Sequence, residues 1–327
     1  MVATPTEPSL RVTVPLFNMW LLDHGDEPAQ SKIDLGRGAM VVKLHDRERR
    51  RICGYWDLDP ELAPLHWRLE VHDISLGDLE ARAREVLDQM TLVVREPAQW
   101  RSLLLDRYED GVWIRRGVSW TSFEVPNYMT EIPLAALETL RALRENMPDV
   151  VDEQTRLALS FYAESVRELR TADLQKALLL AAIALECLFG DAGRDGLTTK
   201  FATRGTHLVC QGEGAMELFD RLKKIYAARS NVVHQGRPAD FSAVTHLQQF
   251  LMRAIPSMMK LCADTGGRAR ALAALDSASF VPSPSVAALM GQGSWWSFVD
   301  AAACVATAVP PDWRHQDSRD GWYVDLP

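Results

Sequence analysis

The chain has 327 residues, of which 47% are hydrophobic and 24% charged, and this excludes a wholly disordered chain, a collagen-like fibre and a disulfide-knotted miniprotein. Its net charge of −8 excludes a protein that coats duplex DNA over its whole surface, because phosphate binding needs concentrated positive charge. At roughly 100–200 residues per domain, the length predicts two domains with a short appendage.

Residues 1–130 are predicted to form an α+β domain. Short runs rich in β-branched and aromatic residues, bounded by Gly, Pro or Asp clusters, predict strands. One segment, from Leu79 to Met90, has apolar residues at helical spacing and predicts a helix. The strands are expected at 10–17, 39–44, 51–58, 65–72 and 111–120. This region carries no motif that indicates a particular chemistry.

Residues 133–263 are predicted to form an all-α bundle. Pro133 opens the first helix, Gly190 ends the third, and Pro256 is expected to kink the sixth. Short connections between long helices favour antiparallel neighbours in a bundle. The helices after the first are expected at 152–169, 172–189, 197–210, 215–234 and 241–262.

Residues 264–327 form the appendage. A small helical patch is followed by a Pro/Ser/Gly-rich linker and a tail that holds four tryptophans. Aromatic side chains are common anchors at protein interfaces. The tail is therefore expected either to pack back on the N-terminal domain or to bind a partner.

The cysteines and the first residues of the chain favour a reducing cytoplasm. Five cysteines, an odd number with no CxxC pair, predict neither a disulfide framework nor a structural zinc site. The N-terminal sequence MVATPTEPSL lacks the basic and apolar regions of a signal peptide. The longest apolar run, Ala177 to Phe189, is interrupted by Glu186 and is too short to span a bilayer. We therefore expect a soluble, cytoplasmic protein with no membrane partner.

Glu186 is the first candidate functional residue. It lies in the third helix of the bundle, where 12 of the 13 residues from Ala177 to Phe189 are apolar, so this helix should be buried on all sides. A buried carboxylate should be paired or protonated, and Arg204 and Arg229 are the candidate partners. Such an ion pair can be purely structural, or it can orient an arginine for function.

The end of the fifth helix, IYAARSNVVHQGRP, holds the second candidate site, an R-x4-H pattern formed by Arg229 and His234. Five residues at helical spacing place these two side chains about 140° apart. They can converge only if the helix end unwinds near 233–236, if they flank a groove, or if a second copy completes the site. One face of the helix is predicted to carry Lys223, Ala227, Ser230 and His234, and the adjacent core stripe Leu218, Leu222, Ile225 and Val232.

These residue types suit RNA cleavage by the 2′-hydroxyl of the substrate itself. The reaction needs a general base, a general acid and a cation, and histidine titrates near neutrality. Arginine holds phosphate oxygens in a bidentate fork, and Ser230 or Asn231 is placed to hydrogen-bond the phosphate or orient the imidazole. Neither metal nor cofactor is required. The simpler alternative is that His234 caps a helix terminus.

Three segments in order, ALECLFG, LTTKFATRGTHLV and RLKKIYAARSNVVHQGRP, resemble the HEPN superfamily, specifically its ApeA-like branch. The resemblance covers residues 150–262, and Arg229 and His234 match the catalytic positions of the family. It implies an all-α bundle that dimerises so that two R-x4-H elements line one cleft. It also implies metal-independent endoribonuclease activity in antiphage defence or toxin systems. Nuclease members often have Asn, Asp or His after the arginine, where this chain has Ser230 followed by Asn231.

The sequence thus predicts a homodimeric HEPN-type endoribonuclease that follows an α+β sensor or regulatory domain. Its partners would be RNA, a second copy, and a regulatory protein or phage-derived trigger. Two alternatives stay open, namely a non-catalytic module for RNA binding, nucleotide binding or dimerisation, and an interaction protein that works through its tail. The expected roles are catalysis by Arg229 and His234, substrate binding by Ser230, Asn231, Tyr226 and Lys223, and orientation by Glu186 and Arg204.

Three other histidines are candidate functional residues. His66 and His72 are expected on one face of a strand, but no Cys or acidic residue follows at a spacing that would make them a metal site. His207 shares a helix face with Arg204 and is expected to be a satisfied interior histidine.

Overall fold

The structure is a computed structural model, and it combines an N-terminal antiparallel sheet region with a C-terminal helical region. It describes residues 10–17, 19–22, 31–55, 59, 65–73, 79–94, 100, 102–109, 112–120, 130–148, 151–191, 196–210 and 215–278. The linker and the tryptophan-rich tail lie outside the described residues.

The described strands form two sheets. They are β1 (Leu10–Phe17), β2 (Met19–Leu22), β3 (Lys32–Asp34), β4 (Ala39–Lys43), β5 (Leu65–Asp73), β6 (Ser102–Glu109), β7 (Val112–Trp120) and β8 (Thr130–Pro133). The larger sheet has the order β3-β4-β5-β1-β6-β7, with every neighbouring pair antiparallel. β2 and β8 form a separate parallel pair.

The helices of the described chain follow the predicted pattern closely. They are α1 (Asp46–Tyr55), α2 (Leu79–Val94), α3 (Leu134–Asn146), α4 (Glu153–Arg170), α5 (Leu174–Phe189), α6 (Leu197–Val209), α7 (Ala215–Gln235), α8 (Phe241–Thr265) and α9 (Arg268–Ser277). The third to sixth predicted bundle helices are α5 to α8. Side chains of Asp152, Asp173 and Asp240 cap the N-termini of α4, α5 and α8 by accepting backbone N–H bonds.

One predicted strand is wrong, because residues 51–55 belong to helix α1. The helix begins with Asp46 and Glu48, whose negative charges favour a helix N-terminus. Ile52 and Cys53 are buried in a small apolar cluster beside the sheet. The charged run DRERRR before them makes up more than one and a half turns of the helix, and it lacks the alternating apolar residues of a half-buried strand.

Helix α2 lies at the junction between the sheet and the bundle. It contacts β1 and β5 on one side and α3 and α4 on the other, so the hydrophobic core continues from the sheet into the helices. Helix α3, which the sequence grouped with the bundle, contacts α2 and β8. Helix α9, from the predicted appendage, packs on α6 and α8.

The two faces of the larger sheet differ in character. Val14, Leu69 and other alternate residues face the apolar core, as the period of two requires. The opposite face carries a charged network in which Asp106 accepts hydrogen bonds from Arg11, Thr13 and Arg115. On the same face, Glu70 contacts Arg11 Nη1 at 3.1 Å, Arg68 Nε at 2.7 Å and His72 Nε2 at 3.1 Å.

The charged network predicts how the stability depends on pH. Desolvation would raise the pKa of Glu70, but the hydrogen bond with His72 and the guanidiniums of Arg68 and Arg11 lower it from 4.5 to about 2. A lowered carboxyl pKa stabilises the fold above the unfolded-state value, and this contribution is lost as the pH falls from about 4.5 towards 2. We expect Glu70→Gln to remove roughly 3 kcal/mol of that pH-dependent free energy of unfolding.

Urea unfolding followed by circular dichroism between about pH 6 and pH 2 measures this difference. Glu80→Gln, which removes a carboxylate from an exposed pair with Arg84 on α2, is the matched control and should keep the wild-type pH profile. Parallel profiles for the wild type and Glu70→Gln would contradict the role given to Glu70.

Candidate functional site

Helix α7 carries the candidate site, and its burial pattern confirms the predicted faces. Leu222, Ile225 and Val232 are buried against the bundle, while Lys223 and His234 are exposed.

A glycine of α6 allows α7 and α8 to lie close to α6. A Cβ atom added at Gly205 would lie 2.8 Å from Phe250 Cζ and 3.0 Å from Leu222 Cδ1.

Tyr226 and Arg229 of α7 meet Glu186 of α5. The Tyr226 hydroxyl donates to Glu186 Oε1 at 2.7 Å, and Arg229 Nη2 lies 3.3 Å from the same oxygen. The ring of Phe201 on α6 meets that of Tyr226 edge-on, with 5.2 Å between ring centroids. The Arg229 guanidinium lies 5.8 Å from the centre of the Tyr226 ring, within the range of a cation–π contact. The arrangement fixes Arg229 from two sides.

Glu186 is less buried than its apolar surroundings in the sequence suggested. Its side chain is 32% exposed, so the expectation of a helix buried on all sides is wrong for this face of α5. The half-buried residues recur at helical spacing and form one stripe, which we call the α5 stripe: Leu179, Leu180, Ile183, Glu186 and Cys187. An apolar stripe with a single carboxylate therefore borders Arg229.

The environment of Tyr226 keeps its hydroxyl protonated. Desolvation, the hydrogen bond to Glu186 and the charge of that carboxylate raise the pKa of Tyr226 to about 12, while Arg229 acts in the opposite direction. At neutral pH Tyr226 is a hydrogen-bond donor and cannot serve as a general base.

The Arg229 guanidinium keeps unused donors. Its Nε is buried and has no hydrogen-bond partner among the described residues, and its side chain is 26% exposed. Because arginine has five N–H donors in a planar fork, the solvent-accessible part of this side chain can meet an incoming anion, whereas the buried Nε cannot reach one.

His234 lies in the last turn of α7 and is exposed. The helix stays regular to Gln235 and ends at Gly236, whose φ of +62° and N–H bond to the Val232 carbonyl at 3.2 Å form a left-handed cap. The helix end therefore does not unwind, and the angle of about 140° between Arg229 and His234 is kept within one subunit. Exposed Val233, with 47% of its surface accessible, lies between them around the helix.

The remaining predicted substrate-binding residues also lie on α7. Ser230 and Asn231 are half-buried, and neither side chain has a hydrogen bond to the described residues. Lys223 lies two turns earlier, with its Nζ 5.2 Å from the centre of the Phe219 ring. The structure thus brings Tyr226, Arg229 and Glu186 into contact and leaves His234 apart from them.

Arg204 is the other candidate partner of Glu186, but its ion pairs are with other residues. It is buried and binds Asp276 and Asp191 at 2.6–2.7 Å together with the backbone carbonyl of Phe189. Of the two candidate partners of Glu186, the structure selects Arg229. His207 is an interior histidine, as expected, with its Nδ1 2.7 Å from the Leu275 carbonyl.

Arg268 is a contributor that the sequence did not reveal. Its guanidinium donates to the carbonyls of Cys187 and Gly190 at the C-terminal end of α5. Arg268 lies 81 residues from Cys187 along the chain, so no local pattern could connect the two. Arginines at a helix C-terminus satisfy its free carbonyls and its partial negative charge.

The described residues contain no group of three or more His, Cys, Asp or Glu side chains placed to hold a metal ion. His72 instead contacts Glu70 in the sheet network. None of the helices described is long and apolar enough to cross a membrane.

Comparison of the chain with family models, with curated proteins and with solved structures finds no match. The assignment to a family therefore rests on the quoted segments alone and stays a proposal.

The contacts of Glu186 predict its contribution to stability. We expect Glu186→Ala to lower the free energy of unfolding by about 1–2 kcal/mol, because it removes the acceptor of Tyr226 and the counter-charge of Arg229 in a half-buried setting. Glu217→Ala makes the same substitution in an exposed pair with Arg221 and should cost less than about 0.5 kcal/mol. Urea unfolding measures both, and equal losses would contradict the special role of Glu186.

Proposed function

We propose that this protein is a metal-independent endoribonuclease of the HEPN type that acts as a homodimer. The observation that carries the proposal is the Arg229 side chain, which Glu186 holds in place and which is 26% exposed. An exposed imidazole, His234, follows on the last turn of the same helix. A fixed cation and an imidazole are the two kinds of group that phosphodiester transfer requires, although within one subunit they point about 140° apart.

In the proposed reaction, one His234 accepts the proton of the substrate's 2′-hydroxyl. The 2′-oxygen then attacks the phosphorus, the bond from phosphorus to the 5′-oxygen breaks, and a second, protonated His234 donates a proton to the leaving oxygen. The products are a 2′,3′-cyclic phosphate and a 5′-hydroxyl. Arg229 neutralises the charge that develops on the phosphorane oxygens, and Ser230, Asn231 and Lys223 contact the RNA.

A second copy of the chain supplies what one subunit lacks. Within a subunit, Arg229 and His234 diverge by about 140°, and two copies related by a two-fold axis would place both pairs around one cleft. Two apolar features beside the site support such an interface, namely exposed Val233 and the α5 stripe. Covering them would remove apolar surface from water.

Regulation would come from outside the nuclease bundle. In this proposal the α+β region senses a regulatory protein or a phage-derived trigger in the cytoplasm, and α2 is the element in contact with both regions. The protein would then serve antiphage defence or act as a toxin.

One observation favours a second candidate, a non-catalytic RNA-binding or dimerisation module. The Glu186–Arg229 ion pair neutralises part of the arginine's charge, and Ser230 occupies the position after the arginine. RNA binding without product formation would support this candidate.

The proposed reaction predicts RNA cleavage in the presence of EDTA that leaves 2′,3′-cyclic phosphate ends. We expect Arg229→Ala and His234→Ala each to lower the cleavage rate by about a hundredfold or more, because each removes a group that acts in the transition state. Gel analysis of end-labelled RNA measures the rate and the product ends.

Two controls match these variants in residue type. Arg221→Ala removes an arginine of α7 that pairs with Glu217, and His45→Ala removes an exposed histidine that lies before α1. Both should keep rates within about twofold of the wild type. Cleavage that persists undiminished in both site variants would show that the activity comes from elsewhere.

The proposed interface predicts a link between dimerisation and cleavage. Val233→Glu places a charge at the centre of the contact, so we expect a monomer in sedimentation velocity and loss of RNA cleavage. Met216→Glu changes an exposed apolar residue 17 positions earlier on α7, about 26 Å along the helix, and should leave the dimer intact. A wild-type monomer that cleaves RNA would refute the shared cleft.

A further inference from the structure

A cavity of about 340 Å³ lies where the sheet region meets the helices. Its walls come from α2, from the turn between β3 and β4, and from the segments at the end of α3 and the start of α4. Its size falls in the usual range of small-molecule sites. The charged residues among its described lining are four arginines and a single carboxylate: Arg37, Arg82, Arg144, Arg156 and Glu85.

Arg144 is the innermost of these cations and is 6% exposed. Its guanidinium donates to the carbonyls of Leu35 and Gly36 and to Gln89 Oε1, which uses three of its five N–H groups. No described carboxylate lies within ion-pair distance of it. Burial lowers the pKa of Arg144 to about 10, so the group stays charged at neutral pH. A buried charge with free donors and neutral partners is costly unless an anion completes it.

The turn between β3 and β4 presents Arg37 at the rim of the cavity in a conformation that costs energy. Arg37 has a φ of +50° between two glycines that also have positive φ, Gly36 at +75° and Gly38 at +72°. A side chain other than glycine in this region is strained by about 1 kcal/mol or more. Bonds from the Arg37 guanidinium to the carbonyls of Met147 and Pro148 hold it there. The turn thus keeps a second arginine beside the cavity.

The other two arginines are carried by helices. Arg82 projects from α2, and Arg156 from the start of α4, where it donates to the Val151 carbonyl and lies 3.9 Å from Glu85. The described lining thus brings four arginine side chains and one carboxylate, Glu85, to the same cavity. Positively charged side chains gathered in a concave site attract anions.

The uncharged part of the described lining consists of the polar side chain of Gln89 and of apolar side chains that include Val71, Val86, Met147 and Val151. The cavity has positive charge on one part of its wall and aliphatic side chains on another. It therefore fits a ligand that has an anionic part and an apolar part. We propose that this cavity binds a small phosphate-bearing molecule of the nucleoside phosphate class, with the phosphates on the arginines and the base against the aliphatic wall. This site is separate from the Glu186–Arg229 site and does not depend on the proposed nuclease activity.

Isothermal titration calorimetry of the full chain with inorganic pyrophosphate and with ADP tests the proposal. We expect both probes to bind, ADP more tightly because its base adds apolar contact, and both more weakly as the salt concentration rises. Arg82→Gln and Arg156→Gln, made singly and together, should weaken binding, with a loss of about tenfold or more in the double variant.

Arg84→Gln is the matched control because Arg84 lies two positions further along α2, where it pairs with Glu80 and contacts the ring of Trp100. It should change the affinity by less than about twofold. Failure of both probes to bind the wild type, or unchanged affinity in a folded Arg82→Gln/Arg156→Gln variant, would overturn the proposal. Equal affinity for pyrophosphate and ADP would show that the base does not bind against the aliphatic wall.

Discussion

The C-terminal end of α5 is the point on which the candidate site depends. A helix leaves its last carbonyls without partners, and here two arginines supply donors to them. Arg204 reaches the Phe189 carbonyl from α6, and Arg268 reaches those of Cys187 and Gly190 from α9. Gly190 follows without a Cβ because one would lie 2.5 Å from the Glu186 carbonyl oxygen. These hydrogen bonds join α6 and α9 to the C-terminal end of α5, next to the turn that carries Glu186.

These contacts determine which arginine can pair with Glu186. Arg204 pairs with two aspartates and also donates to a backbone carbonyl, so it is not available to Glu186. Glu186 instead contacts α7, where one of its oxygens binds both Tyr226 and Arg229. A half-exposed carboxylate can hold a guanidinium in place without burying it. The same geometry aims Arg229 towards α5 while His234 continues around α7, so the separation of the two groups follows from a regular helix and not from a local distortion.

Much of this architecture could be predicted from the sequence because its signals are local. Apolar spacing and caps located α2 and the bundle helices, and the period of α7 placed Leu222 inside and Lys223 outside. The strand prediction for residues 51–55 is wrong because Ile52 and Cys53, with aromatic residues nearby, resemble a strand when the charged residues before them are left out of account. Partners far apart in the chain, such as Arg204 with Asp276 or Arg268 with Cys187, carry no local signal.

Two buried arginines of this chain show how structural and binding cations can be told apart. Arg204 and Arg144 are 2% and 6% exposed, and both donate to backbone carbonyls. Arg204 also has two aspartates, so its charge is balanced inside the fold. Arg144 has only neutral acceptors among the described residues and opens onto a cavity with three further arginines. The charge of Arg204 is thus balanced inside the fold, whereas that of Arg144 is offset only at longer range by Glu85 and Asp34, and in our proposal an anion from outside the chain completes it.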